Sequence, residues 1–345
     1  MATIRDVARR AGVAPITVSR VLNHAGPVHP ETRARVEAAI ADLNYVPNVL
    51  ARSFRSKRTE TLALILTDIT NPFWTRVARG VEDTARQAGY SVILCNTDEN
   101  EAIQTESIHL VLRKQVDGIL LVPRRSEAAS IERIRQQGVP VVVLDRRIDG
   151  LLVDTVRGDS YNGAYRLTRL LLDLGHRRIC LLGGPADVST ASERAAGFDR
   201  AVVEAGCRES CQVLYGDYSY ASGVALARQA LAAQPCPTAL FAGNNLIATG
   251  TLRAIQESGL RVPQDLSLVC FDDFPPELLV EPFFTTAAQP AYDLGCQATR
   301  LLLDRLSGAD ASPPREVILP VEIISRLSNG PAPSRLPIPC EPPVS

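Results

Sequence analysis

The sequence predicts a small three-helix head, a short linker, and a two-subdomain α/β core with parallel sheets. Three observations carry this prediction. The first sixty residues contain short segments with helical spacing of apolar residues and no strand-like run. From residue 61 onward, apolar β-rich runs alternate with amphipathic segments of helical length, the rhythm of a parallel sheet covered on both faces. That rhythm occurs in two similar series, which implies two subdomains and a cleft between them. With 345 residues, 46% of them hydrophobic, the chain can bury two or three cores.

In the head, Thr3 and Asp6 form a T-x-x-D start with Thr3 as N-cap. Val7, Ala8 and Ala11 make one apolar face, and Gly12 suits a helix end. Pro15 fits the first position of a second helix, where its missing N–H costs nothing. Two short helices joined by a tight glycine-containing turn make a helix-turn-helix. A third helix is expected from Pro30 to about Leu43, with Val36, Ile40 and Leu43 inward. The second helix is anchored by Val18, Val21 and Leu22 and offers Ile16, Thr17, Ser19 and Arg20 outward. An α-helix fits the major groove of DNA, an arginine can donate to guanine, and hydroxyls reach phosphates or bases.

Charge points the same way. Residues 1–60 hold ten Lys and Arg against five acids, so they carry +5, while the whole chain is −1 and the remainder therefore −6. A basic head on an acidic body implies a polyanion partner for the head alone. No run of about 18 apolar residues exists to span a membrane. The start MATIRDVARRAG lacks the apolar stretch of a secretory signal, so a cytoplasmic location is expected. The eight cysteines are scattered without a C-x-x-C pair, and none clusters with the four histidines. Reduced, mostly buried thiols are expected, with no metal and no cofactor.

TIRDVARRAGVAPITVSRVLN, ETRARVEAAIADLNYVPN and ARSFRSKRT resemble the N-terminus of LacI/GalR-family transcriptional regulators. The resemblance implies three DNA-binding helices, a hinge helix, and a periplasmic-binding-protein-like core that senses a small molecule. By position it assigns Thr3, Ile4, Arg5, Pro15, Ile16, Thr17, Ser19, Arg20, Asn23, Thr32, Asn48, Ala51 and Phe54 to DNA. Two departures stand out. Ala14 replaces the usual Ser, removing a side-chain N-cap that typically contributes about 1 kcal/mol. Pro15 and Ile16 occupy the variable positions that choose operator bases, and neither can make a bidentate hydrogen bond; Ile16 can contact a thymine methyl. Asn48 could cap a hinge helix too short to stand alone. Phe54 stands where the family inserts a leucine into the minor groove, with small Ala51 beside it; a phenylalanine wedge is physically reasonable.

The core strands are read at 61–69, 90–96, 117–123 and 139–146, then at 177–184, 211–217, 238–243 and 266–273. Ligands in open α/β sheets bind outside the carboxyl ends of the strands. Asp68, Asn71, Phe73 and Trp74 follow the first strand, Asp145 and Arg146 the fourth, and Tyr218, Asn244, Asp272 and Asp273 the second series; Arg194 is placed at the opening of the helix after LLGGP. Such carboxylate, guanidinium, amide and aromatic groups suit a hydroxylated ring. DITNPFW, LDRR, SERAAGF, GDYS, GNNLIATG and FDDF also resemble the family's core motifs. By position, Asn71, Phe73, Trp74, Asp145, Arg146, Thr190, Arg194, Tyr218, Asn244 and Asp272 would line the effector pocket, with Arg194 and Asp272 as donor and acceptor. Val188 stands where purine-responsive members carry Arg, which argues against a nucleobase ligand. Asn245 replaces the family's usual Asp and is expected to N-cap the following helix. Arg124, Arg125, Arg146 and Arg147 make the strand ends basic, which raises a sugar acid or sugar phosphate as effector.

The expected boundaries are 1–46 for the head, 47–60 for the hinge, and 61–330 for the core. Within the core, 61–159 with 290–318 would form one subdomain and 160–289 with 319–330 the other. Residues 331–345 are proline-rich, without heptads, and read as a flexible tail, so the assembly expected is a homodimer on a pseudo-palindromic double-stranded operator. The function implied is a repressor controlled by a sugar or sugar derivative. The alternatives are a sugar-binding protein without a DNA role, which the basic head disfavours, and an α/β enzyme. For the enzyme there is no G-x-S-x-G, P-loop, H-E-x-x-H or post-strand G-x-G-x-x-G, so no catalytic residues are assigned.

Overall fold

A computed structural model of the chain describes residues 2–22, 25–46, 58–125, 128–275, 283–308 and 312–333. The chain divides into two compact units, Met1–Thr59 and Glu60–Ser345. The expected hinge helix, with Asn48, Ala51 and Phe54, lies outside the described residues, as do Asn23 and residues 334–345 of the tail.

In the first unit, α1 spans Ile4–Ala11, α2 Pro15–Leu22 and α3 Pro30–Asp42. Thr3 and Asp6 form a reciprocal capping box: the Thr3 hydroxyl accepts from the Asp6 amide at 3.3 Å, and the Asp6 carboxylate accepts from the Thr3 amide at 2.9 Å. Gly12 ends α1 in the left-handed region at φ 65°, which glycine enters without a Cβ penalty. Ala14 supplies only its carbonyl to the start of α2, accepting from Thr17 at 2.9 Å. Val7, Ala8, Ala11, Val18, Val21, Val36 and Ala39 form the core, with Ile40 and Leu43 packed at its edge. An Arg10–Asp42 ion pair at 2.8 Å ties α1 to α3.

The second unit holds two six-stranded sheets, and each strand is short and flanked by turn residues. The first runs β11-β5-β4-β3-β1-β2, from β1 Thr61–Leu66, β2 Ser91–Asn96, β3 Gly118–Leu121, β4 Val141–Leu144, β5 Asp154–Gly158 and β11 Glu316–Leu319. The second runs β12-β10-β9-β8-β6-β7, from β6 Ile179–Gly183, β7 Gln212–Tyr215, β8 Ala239–Ala242, β9 Ser267–Phe271, β10 Thr285–Ala288 and β12 Glu322–Ile324. Among the described residues all pairings are parallel except β10 with β12, which is antiparallel, so the second sheet is mixed. Alternation along β1 shows why both faces must be covered. Leu62, Leu64 and Leu66 enter one core with α4 (Pro72–Gln87) and α11 (Ala291–Ser307), while Ala63 and Ile65 enter the other with α5 (Glu101–Arg113) and α6 (Ala129–Gln136). The second sheet is sandwiched in the same way, by α7 (Ser160–Asp173) and α8 (Ser189–Glu204) on one face and α9 (Tyr220–Leu231) and α10 (Asn245–Glu257) on the other.

The chain passes between the lobes three times, at 158–160, 288–291 and 319–322. β5, β10, β11 and β12 flank these passages, and the sequence pattern alone does not reveal them. β5 reads DTVRG yet is fully buried. Its charges are neutralised inside: Asp154 accepts from Arg305 at 2.7 and 2.9 Å, and Arg157 pairs with Glu316 at 2.5 Å and Glu193 at 3.0 Å. A strand whose polar groups are paired inside carries no hydrophobic run to read. β11 extends to Leu319, one residue past the expected lobe boundary. Order also continues beyond residue 330, where the Ala332 amide donates to the Leu174 carbonyl at 2.9 Å. Seven cysteines among the described residues are free thiols, six of them buried.

Helices α4 and α11 cross where two glycines let backbone meet backbone. A Cβ at Gly80 would lie 2.1 Å from the Tyr292 carbonyl oxygen, and one at Gly295 would lie 2.2 Å from that of Val77. Gly80→Ala is therefore expected to destabilise the core by about 1–3 kcal/mol. A urea-unfolding midpoint that falls at unchanged slope would report this.

Candidate functional site

The carboxyl ends of the two sheets face each other across a cavity of about 540 Å³. Each lobe presents the same device. Asp145 follows β4 and Asp272 follows β9, both in the left-handed region at φ 63° and 66°. Asp145 donates its amide to Val156 at 2.9 Å and Asp272 to Ala287 at 3.0 Å, so the adjoining strand holds each turn. A non-glycine residue there costs energy that the surroundings must offset. The result is a buried carboxylate at the cavity wall from either side.

Asp272 is the better supported of the two. Its Oδ1 accepts from Gln289 Nε2 at 2.7 Å, and its Oδ2 lies 3.9 Å from Arg194 Nη1. Arg194 is buried in the second turn of α8, not at its opening as the sequence suggested. Its guanidinium sits 3.8 Å from the Phe271 ring centroid and 5.9 Å from that of Tyr218, and donates to the Gly243 carbonyl at 2.6 Å. Burial pushes the Asp272 carboxyl up to about 6, against the pull of Arg194 and Gln289. Burial raises Asp145 as well, opposed by Arg194 and Arg146.

All ten residues expected from sequence line this cavity: Asn71, Phe73, Trp74, Asp145, Arg146, Thr190, Arg194, Tyr218, Asn244 and Asp272. Phe73 and Trp74 meet edge to face at 4.8 Å. Thr190 and Tyr218 share a hydrogen bond at 3.1 Å. Asn244 turns its oxygen to the Ile247 amide at 2.8 Å and is the N-cap of α10. Asn245 is therefore not the cap expected. It reaches across the cleft to Asn71, each amide donating to the other's oxygen at 3.0 Å, and both are buried. Asp273 does not join the site but pairs with Arg326 at 2.7 Å. Val188 is buried just before α8 and does not line the cavity.

The basic strand ends are not an open anion site. Arg146 is held by Glu99 at 2.5 and 2.9 Å, and Arg124 donates to the Glu99 carbonyl at 2.7 Å. Arg125 lies 3.3 Å from Asp187, and Arg147 lies 3.2 Å from Glu193. Asp187 and Glu193 belong to the other lobe, so these two arginines bridge the cleft mouth. Glu99 and Gln289 also line the cavity, and the sequence alone does not point to them. Glu99 sits in a loop with no motif, and Gln289 is near no strand end that reads as apolar.

In the head, Thr3, Arg5, Pro15, Ile16 and Arg20 are exposed, and Ile4, Thr17, Ser19 and Thr32 are half-buried. Ile16 and Arg20 lie one turn apart on the outer face of α2. Ile16 is 55% exposed on a helix whose other large apolar residues pack inward, so burial does not explain it.

A helix-turn-helix unit and a two-lobed core with a polar cavity define a DNA-binding regulator that senses a small molecule. The chain belongs to the LacI family. Residues 3–48 match the model of bacterial regulatory proteins of the lacI family, and residues 59–327 match that of periplasmic binding proteins and the sugar-binding domain of the LacI family. It is 36% identical over 308 residues to the HTH-type transcriptional repressor PurR of Photobacterium profundum, covering 89% of this chain and 92% of that protein. It is likewise 36% identical over 325 residues to the ribose operon repressor of Escherichia coli K12, covering 93% and 98%. Among solved structures, the lac repressor dimer bound to operator and the anti-inducer ONPF matches with a TM-score of 0.83 at 30% identity, over 95% and 99% of the two chains.

The reciprocal Asn71–Asn245 pair is expected to couple the lobes. In a double-mutant cycle of Asn71→Ala and Asn245→Ala, urea unfolding should give an interaction energy of about 0.5–3 kcal/mol. Additive effects would show that the two amides act independently.

Proposed function

We propose that the cavity binds a sugar or sugar derivative and that its occupancy sets the affinity of a homodimeric repressor for a pseudo-palindromic operator. One observation carries the reading. A buried carboxylate, a buried guanidinium and two aromatic edges converge in one cavity between lobes that the chain crosses three times. Vicinal hydroxyls donate to Asp272 and accept from Arg194, while Phe73 and Trp74 cover an apolar ring face. The ribose operon repressor's name and the sugar-binding family model support a sugar. A ligand that bridges both lobes changes the equilibrium between their arrangements, which is the physical requirement for coupling to DNA. A role on the nucleoid places the protein in the cytoplasm. Regulation, not catalysis, accounts for the site's residues.

The proposed DNA contacts are the exposed α2 residues Pro15, Ile16 and Arg20 with Thr17 and Ser19, flanked by Thr3, Ile4, Arg5 and Thr32. Asn23 and the hinge residues Asn48, Ala51 and Phe54, outside the described residues, complete the set. The proposed domains are the head 1–46, the hinge 47–60 and the core from 61.

Trp74 is the sole tryptophan, so its fluorescence reports ligands directly. Titration with neutral sugars, sugar acids, sugar phosphates and nucleobases tests the reading; saturation by a nucleobase alone would overturn the sugar assignment. Asp272→Asn is expected to weaken the responding ligand by about tenfold or more, since its buried partners lose a charge-assisted acceptor. The pH dependence follows from the raised carboxyl. A hydroxyl donor needs the carboxylate form, so affinity should hold above about 6 and weaken as pH falls through that value.

Operator binding is expected to fall steeply with salt, and Arg20→Ala should cost about 1–3 kcal/mol in specific affinity. Electrophoretic shifts on selected operator fragments measure both. An Arg20→Ala loss equal on specific and random DNA would reduce Arg20 to a phosphate contact.

A further inference from the structure

We infer that the cavity selects neutral, hydroxyl-rich ligands and that Glu99 sets this selectivity, by holding Arg146 in a two-pronged ion pair that denies its guanidinium to anions. The inference rests on the reading of the cavity as the effector site.

Arg146 is only 3% exposed, and both of its terminal nitrogens are taken. Nη2 donates to Glu99 Oε1 at 2.5 Å, and Nη1 donates to Oε2 at 2.9 Å and to the Pro123 and Arg124 carbonyls at 2.9 and 3.2 Å. The carboxylate and guanidinium meet in the fork geometry that makes such pairs strong. Glu99 reaches a second cation as well, since its carboxylate lies 3.9 Å from Arg124 Nε. The third cation at the cavity, Arg194, already faces Asp272. Six carboxylates line the cavity against three guanidinium groups. An anionic ligand would therefore add to an excess of negative charge, with Asp145 and Asp272 buried and Asp98 and Asp217 open to solvent screening.

The unpaired atoms agree. Asp145 Oδ1 and Gln289 Oε1 are buried acceptors without a hydrogen-bond partner, while Arg146 Nε and Arg194 Nε are buried donors without one, and Arg124 Nη1 has only Asp187 Oδ1 at 3.8 Å. Buried groups of both kinds are costly to leave unmatched. A hydroxyl both donates and accepts, so a polyol can serve the two sets together. An ionised carboxylate or phosphate oxygen only accepts, and it would leave Asp145 and Gln289 unsatisfied. Both acceptors need a donor, and exchanging a sugar hydroxyl for a carboxylate or phosphate removes one.

The test compares matched ligands on the full-length protein by calorimetry: D-glucose with D-glucuronate, D-galactose with D-galacturonate, D-ribose with D-ribose 5-phosphate, and inorganic phosphate alone. In the wild type, any binding should favour the neutral member of a pair, and phosphate should give no heat. Glu99→Gln keeps the side-chain shape but removes the charge, leaving the Arg146 guanidinium uncompensated. It is expected to gain affinity for the acid members or for phosphate by about tenfold or more. The double variant Glu99→Gln/Arg146→Gln should lose that gain. Wild-type preference for an acid member, or a Glu99→Gln protein with native circular dichroism and no gain for any anion, would overturn the inference. Should no neutral sugar bind the wild type, the sugar reading fails, while the gain for phosphate still judges the role of Glu99 by itself. A gain that persists in the double variant would place the anion elsewhere and also overturn it.

Discussion

The architecture depends on one topological constraint: the chain must cross between the lobes three times, and the three crossings must lie side by side. Asp159 in the first donates its amide to the Leu319 carbonyl in the third at 3.0 Å. Gly158 leaves no room for a side chain, because a Cβ there would lie 1.9 Å from Gln289 Oε1 of the second. Arg166 of α7 donates to the Val321 carbonyl of the third crossing at 2.9 Å. The bundle of crossings thus delivers Gln289 to Asp272, so the segment that joins the lobes also forms part of the cavity wall. A change in the angle between lobes would be felt at that hydrogen bond, which is the mechanical link a ligand-sensing regulator needs.

Electrostatics shape the cleft more than any excess of one sign does. The arginines that end strands in the first lobe meet Asp187 and Glu193 from the second, beside the neutral Asn71–Asn245 pair deeper in the cleft. The mouth is thus held by the exposed Arg125–Asp187 pair and the partly buried Arg147–Glu193 pair, and the interior by hydrogen bonds between uncharged amides. Within the cavity, Glu99 cancels Arg146, and Asp272 stands opposite Arg194, which stacks on Phe271. A basic look in the sequence becomes a chamber with more carboxylates than guanidinium groups once partners far apart in the chain are brought together.

Much of the site is legible in the amino-acid sequence. Asn71, Asp145, Tyr218, Asn244 and Asp272 all lie where an apolar run ends, and the parallel α/β rule sends such residues to one edge. Arg194 and Thr190 stand out through their motif, SERAAGF and the residues before it, and not through periodicity. The features that sequence does not reveal share a physical origin. β5 and β10 are polar or small in sequence because ion pairs and close packing, not hydrophobic runs, accommodate them. Asn245 looks like a cap because it begins a helix, yet Asn244 already satisfies the free amide, which releases Asn245 to cross the cleft.

The sequence by itself determined the helix-turn-helix through capping, spacing and turn chemistry, all of which act within a few residues. It also determined the doubled α/β rhythm and the strand ends that carry polar groups. Only the tertiary structure decided which charges are spent on each other, which amides join the lobes, and that Glu99 and Gln289 stand at the cavity. Those outcomes depend on contacts between residues 17 to 174 positions apart, and no local pattern encodes the partner of a charge that distant.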